Sequence, residues 1–247
     1  MYEKKLAEYY DILFSNKNYK EECSFIVNQS KNHGRLLDIG CGTLNHSLIL
    51  SDVFSTVVGI DLSEEMLDVA RQKNNKKNIS LLNYSLDKCN FENKFDCIIS
   101  MFNVINHIHD LKTLQEFFSS ISSNLDEDGT FIFDCWNSIA CVLDKPKAVS
   151  QKQVKNIYHT LISKTETETD LFNSISTMKT TVEIFDDVSM IDSFVYNLEQ
   201  RLWTPNLLNQ LLISNGFNHV LVVPYFDASK KAAENDYRIT FICKKNA

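Results

Sequence analysis

Residues 36–47 read LLDIGCGTLNHS. An apolar run of Leu36, Leu37 and Ile39 ends in two glycines one residue apart, Gly40 and Gly42, and the spacing predicts a helix directly after them. Glycines at a strand–turn–helix junction adopt dihedrals that other residues avoid, and they let the main chain come close to a ligand. The acid at position 38 matters more. A dinucleotide would bring its pyrophosphate to this turn and to the N-terminus of the following helix. A carboxylate so near opposes that anion. The stretch therefore suits a cofactor that carries positive charge and no phosphate. A lone GxG also occurs at plain structural junctions, so the rest of the chain has to decide.

Size and charge narrow the choice. A chain of 247 residues suits one large domain, or one domain with an insertion. The net charge of −7 leaves no broad basic footprint for nucleic acid. No apolar run reaches the length of a membrane span, and the opening MYEKKLAEYYD is too polar for a secretory signal. Cysteines stand at 23, 41, 89, 97, 135, 141 and 243 with no CxxC pair. That usage predicts reduced, buried thiols in a cytoplasmic protein. The histidines do not fall at zinc-ligand spacing from them, so no metal site is expected.

The periodicity alternates between strand and helix through the first half. Lys20 to Ser30 reads as a helix, Leu36 to Ile39 as a short buried strand and Leu44 to Ser51 as a helix. Thr56 to Ile60 is a second β-rich run that ends at Asp61. Ser63 then has the chemistry of an N-cap for a helix to Lys73, with Met66, Leu67 and Ala70 inward. Ile79 to Tyr84 is a third strand. Phe95 to Met101 is a fourth, nearly continuous in apolar residues, as in a parallel sheet covered on both faces. An amphipathic helix over Asp110 to Leu125, a turn at Asp128-Gly129 and a fifth strand over Thr130 to Cys135 complete a doubly wound rhythm. Lys145 to Arg201 breaks that rhythm and reads as three or four antiparallel strands. A helix opens at Thr204-Pro205 and stops at Asn215-Gly216. Phe217 to Val223 and Tyr237 to Cys243 are the final strands, more easily antiparallel neighbours than a crossover pair.

Asp61 ends the second strand about twenty residues beyond the glycine loop, the spacing at which an acid reaches ribose hydroxyls in an open α/β sheet. The third strand is followed by Ser85-Leu86-Asp87, where the acid can accept from an adenine amino group. With these pieces the chain resembles the class I S-adenosylmethionine-dependent methyltransferases. LLDIGCGT is similar to that family's glycine loop and VVGIDLSEEML to its ribose-binding strand end. LDKCNF is similar to the adenine-side turn, and FDCIISMFNVINHI to the fourth strand and active-site loop. LDEDGTFIFDCWN matches the fifth-strand motif and LLISNGF the late helix. The resemblance implies a Rossmann-like seven-stranded sheet with a terminal antiparallel hairpin. It divides the chain into a core of residues 1–144 and 202–247 and a small antiparallel β insertion, residues 145–201, that contributes to the acceptor site. The opening EYYDILFSNKNYKEE and the insertion further resemble enzymes that methylate nucleotide-linked amino sugars.

The resemblance also implies roles. Asp38, Gly40, Gly42 and Thr43 would line the methionine side of S-adenosyl-L-methionine. Asp61 would hold its ribose, Leu62 and Met66 one adenine face, and Leu86 and Asp87 the other edge. Met101 and Asn103 would lie beneath the sulfonium, while Tyr10 and Tyr19 would close over cofactor and acceptor, Tyr19 as a cofactor contact and Tyr10 as a catalytic residue beside His107. Trp136 and Asn137 would shape the acceptor pocket, and Arg201 would grip a phosphate or carboxylate. His107, after the fourth strand, would be the catalytic base, since neutral imidazole accepts a proton near neutral pH. One position departs from the family: Leu44 stands where a third glycine is usual. A leucine enters positive φ with difficulty, so either the backbone there is already helical or cofactor binding suffers. The implied acceptor is a small polar anion, by preference the amino group of a nucleotide-linked sugar. A sugar hydroxyl or a phosphoramidate precursor in surface polysaccharide biosynthesis is the alternative. A nicotinamide-dependent oxidoreductase and a non-catalytic binding module stay open on the residues alone, as does oligomeric state.

Overall fold

The computed structural model describes residues 4–85, 91–187 and 189–245. Two helices open the chain, α1 (Lys4–Leu13) and α2 (Tyr19–Gln29). The central sheet begins with β1 (Arg35–Ile39), α3 (Asn45–Leu50), β2 (Thr56–Ile60), α4 (Glu64–Lys73), β3 (Ile79–Leu82) and β4 (Phe95–Ser100). It continues through α5 (Leu111–Asn124), β5 (Leu125–Trp136) and the short α6 (Ser138–Leu143). After four further strands come α7 (Pro205–Ser214), β10 (His219–Pro224) and β11 (Arg238–Lys244). The seven strands lie in the order β10-β11-β5-β4-β1-β2-β3. β1 to β5 are parallel, and β11 runs antiparallel to both β5 and β10. The expected sheet and its terminal hairpin are therefore present.

Alternation along the strands builds a core on each face. On β5, Phe131 and Phe133 pack with Phe118 of α5 and Leu208 of α7, while Ile132 points to the face covered by Phe25 of α2 and Leu67 of α4. The direction of the order reverses between β1 and β4, and the crevice at such a reversal is where open α/β sheets bind ligands. Residues 126–129 do not end the strand as a turn. Phe95 pairs with Leu125 and Cys97 with Thr130, so the DEDG segment is an irregular excursion within β5.

Four strands, β6 (Val149–Lys155), β7 (Thr160–Asp170), β8 (Ile175–Asp186) and β9 (Ser189–Arg201), form a separate antiparallel sheet in sequential order. Its apolar face, with Val154, Leu161, Val182 and Ile184, packs on Leu6, Ala7 and Leu13 of α1. The end of β9 is stitched to the loop after β4. Asn106 Nδ2 donates to the Arg201 carbonyl at 2.7 Å, and Trp203 Nε1 donates to the Ile108 carbonyl at 3.0 Å. Among the described residues, six cysteines are buried and free, and no helix is long and apolar enough to cross a membrane.

Leu44 keeps the backbone shape of the glycine it replaces. It sits at φ 70° and ψ 19°, in the left-handed region, as the N-cap of α3. The side chain is wholly buried with Leu36, Leu50 and Val57. Left-handed backbone costs a non-glycine residue about 1–2 kcal/mol, and burial of the leucine offsets it. The balance gives an unusual order of variants. Leu44→Gly should be more stable than Leu44→Ala by about 1 kcal/mol, although glycine normally ranks below alanine. Both should fall below the parent, because each loses the buried side chain. Urea midpoints of the three proteins measure it.

Candidate active site

The glycine loop is fixed to the end of β2 by main-chain bonds. Gly40 and Cys41 both donate to the Ile60 carbonyl, at 2.8 and 3.1 Å. Gly40 has φ 73°, and a Cβ there would meet Val104 Cγ2 at 2.6 Å, so the loop after β4 closes directly on it. Gly42 has φ 52°, and a Cβ would meet nothing within 4 Å. Its N–H donates to Asp61 Oδ2 at 2.8 Å, while Asp61 Oδ1 accepts from the Ser63 N–H at 2.9 Å. Asp61 therefore ties the two strand ends together and keeps lone pairs for a ligand. Burial pushes its carboxyl above the usual range, against the pull of the Ser63 and Gly42 N–H groups.

Above these strand ends lies a cavity of about 880 Å³, within the range of small-molecule sites. Gly40, Gly42 and Asp61 form one wall, with Leu62 and Met66 beside them. Met101 and Val104 contribute from the loop after β4, and Tyr10 reaches in from α1. Tyr84 and Ser85 mark the side where an adenine would lie. His107 and Glu199 of β9 also line it. Among the described residues this wall contains no Lys or Arg, and it contains three carboxylates: Asp61, Glu116 and Glu199. That donor set repels a pyrophosphate and attracts a cation. A sulfonium with an ammonium would fit it, with Asp61 as an acceptor for ribose hydroxyls and Leu62 and Met66 as an apolar face for a base.

Several expected positions have other work. Asp38 is 1% exposed, in β1 between Gly59 and Ile99, and its Oδ2 accepts from Ser47 Oγ at 2.6 Å. Burial raises its pKa. The acid that faces the cavity is Asp61, and Asp38 lies beneath α3. Thr43 is buried and donates its hydroxyl to Asp11 at 2.6 Å. Tyr19 packs edge-on against His46, with ring centroids 5.0 Å apart, and is off the cavity wall. Asn103 is buried below the loop surface with its Oδ1 unpartnered. Trp136 packs on Tyr237 and its main-chain N–H donates to Asn106 Oδ1, away from the cavity. Asn137 caps α6 through the Ile139 N–H, and its Nδ2 donates to the carbonyls of Ala233, Glu234 and Asp236. Its amide is spent on structure. Arg201 stacks over Trp203 and donates to the Asn173 carbonyl, so its guanidinium is turned from the cavity. Leu86 and Asp87 lie outside the described residues.

Residues 36–129 match the family described as a methyltransferase domain. The chain carries an S-adenosylmethionine-dependent methyltransferase domain. The methyltransferase is 27% identical over 242 residues to the Bacillus subtilis protein YqeM, covering 97% of this chain and 96% of that one. It is 28% identical over 144 residues to the dTDP-3-amino-3,6-dideoxy-alpha-D-glucopyranose N,N-dimethyltransferase of Streptomyces fradiae, covering 55% of this chain and 54% of that one. In fold it matches the crystal structure of an S-adenosylmethionine-dependent methyltransferase from Clostridium acetobutylicum. That match has a TM-score of 0.81 at 24% identity and covers 99% of this chain and 98% of the other. When bound, the cofactor supplies an electrophilic methyl group on a cationic sulfur.

His107 lines the cavity from the loop after β4. It ends a short 3-10 turn, Val104–His107, which follows two left-handed residues, Phe102 (φ 70°) and Asn103 (φ 63°). Both of those residues donate main-chain N–H groups to Asp134 Oδ1, and Asp134 is wholly buried in β5. The strain of two consecutive left-handed residues is thus held by a carboxylate, and it aims the next residues along the cavity. Desolvation, then the neighbouring His109, lowers the His107 pKa below 6.5, and a hydrogen bond with the Glu199 main chain opposes the shift. His109 Nδ1 lies 2.9 Å from Glu199 Oε1. Strand β9 therefore sets both imidazoles.

Proposed function

We propose that this methyltransferase moves a methyl group to the amino group of a nucleotide-linked sugar in the cytoplasm. The observation that carries the reading is a wall with no Lys or Arg among the described residues, bearing three carboxylates and the imidazoles of His107 and His109, which suits an ammonium acceptor as well as a sulfonium cofactor. The Streptomyces fradiae relative, an aminosugar N,N-dimethyltransferase by name, supports the same substrate class. Gly40, Gly42, Asp61, Leu62, Met66 and Met101 would hold the cofactor, and Tyr10 would cover it. His107 would take the ammonium proton. The freed nitrogen lone pair would then be the nucleophile for the methyl group that the cofactor supplies, the sulfur keeping the electron pair of the broken C–S bond. Alignment of nitrogen, carbon and sulfur supplies much of the rate. Residues 145–201 would join the core of 1–144 and 202–247 at the acceptor end, through β9.

Incubation with S-adenosylmethionine and dTDP-linked 3-amino and 3-hydroxy sugars, followed by mass spectrometry, tests the reading. One or two added methyl groups on the amino sugar are expected. Methylation of the hydroxy sugar alone would replace it with O-methylation, the reading that links the enzyme to surface polysaccharide.

A further inference from the structure

A second cavity, of about 470 Å³, shares the Phe102 wall with the first and has the opposite chemistry. Three cations line it, Lys17, Lys152 and Arg238, interleaved with the rings of Phe14, Phe102 and Tyr225. Lys17 Nζ is 5.0 Å from the Phe102 centroid and 5.6 Å from that of Tyr225. Arg238 Cζ is 3.6 Å from the Tyr225 centroid, and Lys152 Nζ is 5.6 Å from that of Phe14. The ring faces are already met by the protein's own cations, which leaves little for a cationic ligand.

Nearby acids balance the charge, and Glu22 and Asp134 are engaged on both oxygens. Glu22 Oε2 accepts from Lys17 and from His46, and Oε1 accepts from the Tyr225 hydroxyl at 2.7 Å. Asp134 takes the Phe102 and Asn103 N–H groups and Arg238 Nη2, the last at 3.0 Å. Glu21 Oε2 accepts from Asn18 at 2.8 Å. Donors are left over. Arg238 Nε is buried with no partner. Lys152 Nζ donates to the Leu13 carbonyl at 2.7 Å and has further protons to give.

We propose that this second cavity binds an anionic oxygen group, phosphate or carboxylate, carried by a molecule whose reacting end lies in the first cavity. The inference rests on the methyl-transfer reading. Two sources supply such a group: a phosphate of the acceptor, or the α-carboxylate of the cofactor. The aromatic walls pack the ring or chain that bears it, and Phe102 separates the anionic portion from the reacting centre.

Calorimetry separates the outcomes. The unaltered protein, Lys152→Met and Lys17→Met are titrated with S-adenosylhomocysteine, with 5′-methylthioadenosine, which lacks the carboxylate, and with thymidine diphosphate in saturating S-adenosylhomocysteine. Lys152 is exposed on β6, so its substitution leaves the core intact. The expected result is about a tenfold loss for one anionic probe in Lys152→Met, with recovery in Lys152→Arg. Loss confined to thymidine diphosphate assigns the group to the acceptor. Loss for S-adenosylhomocysteine with methylthioadenosine unchanged assigns it to the cofactor. Equal affinity of every probe for all the proteins, or no binding of thymidine diphosphate to the unaltered protein with the other two unchanged in the variants, overturns the proposal and leaves methyl transfer intact. Failure of S-adenosylhomocysteine to bind the unaltered protein removes the underlying reading as well.

Discussion

His107→Ala is expected to lower kcat by roughly 10²- to 10⁴-fold, the range for removal of a general base, and to leave the dissociation constant of S-adenosylhomocysteine unchanged. The split follows from position. His107 lies on the loop beside β9, while Gly42 and Asp61 lie joined at the ends of β1 and β2. The pH profile should carry the same signature. Desolvation holds the imidazolium below 6.5, so the base is already deprotonated at neutral pH. Activity should hold down to pH 6.5 and fall as the pH drops through the lowered value. Stability follows the same sign. Between the folded value and 6.5 the unfolded chain binds the extra proton, so folding loses stability as the pH falls below 6.5. A variant with parental turnover would show that the nucleophile arrives already deprotonated, as a phosphate-type oxygen does.

Asp61→Ala is expected to weaken S-adenosylhomocysteine by about 100-fold, close to 3 kcal/mol, because two effects add. The ribose loses its acceptor, and the N–H groups of Gly42 and Ser63 lose the carboxylate that ties β1 to β2. Asp38→Asn is the contrast. Its amide oxygen still accepts from Ser47, and the side chain is buried away from the cavity. Cofactor affinity in Asp38→Asn should change by less than about threefold. Calorimetric titration of both variants tests the pair. A larger loss in Asp38→Asn would return the ligand-facing role to the acid inside β1.

What could be read from the chain alone was whatever local spacing determines. Gly40 and Gly42 follow an apolar run, and Asp61 ends the next one, so a parallel pair brings them together. Asp38 is the fourth of the five residues of β1 and is buried although it is two residues from a loop glycine, because neighbours along a strand point to opposite faces. Asn137, expected at the acceptor pocket, stands directly before SIACVL and caps the helix that this segment forms. Leu44 took the conformation that steric rules discourage, because its side chain fills a buried space that no local rule describes. Arg238 and Lys17 were harder. Lys17 meets Tyr225 across 208 residues of chain, and Arg238 meets Asp134 across 104. Nothing in the spacing of either residue signals such a partner. Strand β9 was visible as part of a β-rich segment, but its hold on the His107 loop arises only when two sheets meet.

Binding of S-adenosylhomocysteine against NAD tests the central claim most directly. The cavity wall with Asp61, Glu116 and Glu199 and no described Lys or Arg predicts that S-adenosylhomocysteine binds and raises the melting temperature by mass action, while NAD does neither. A chain stabilised by NAD and indifferent to S-adenosylhomocysteine would contradict the account.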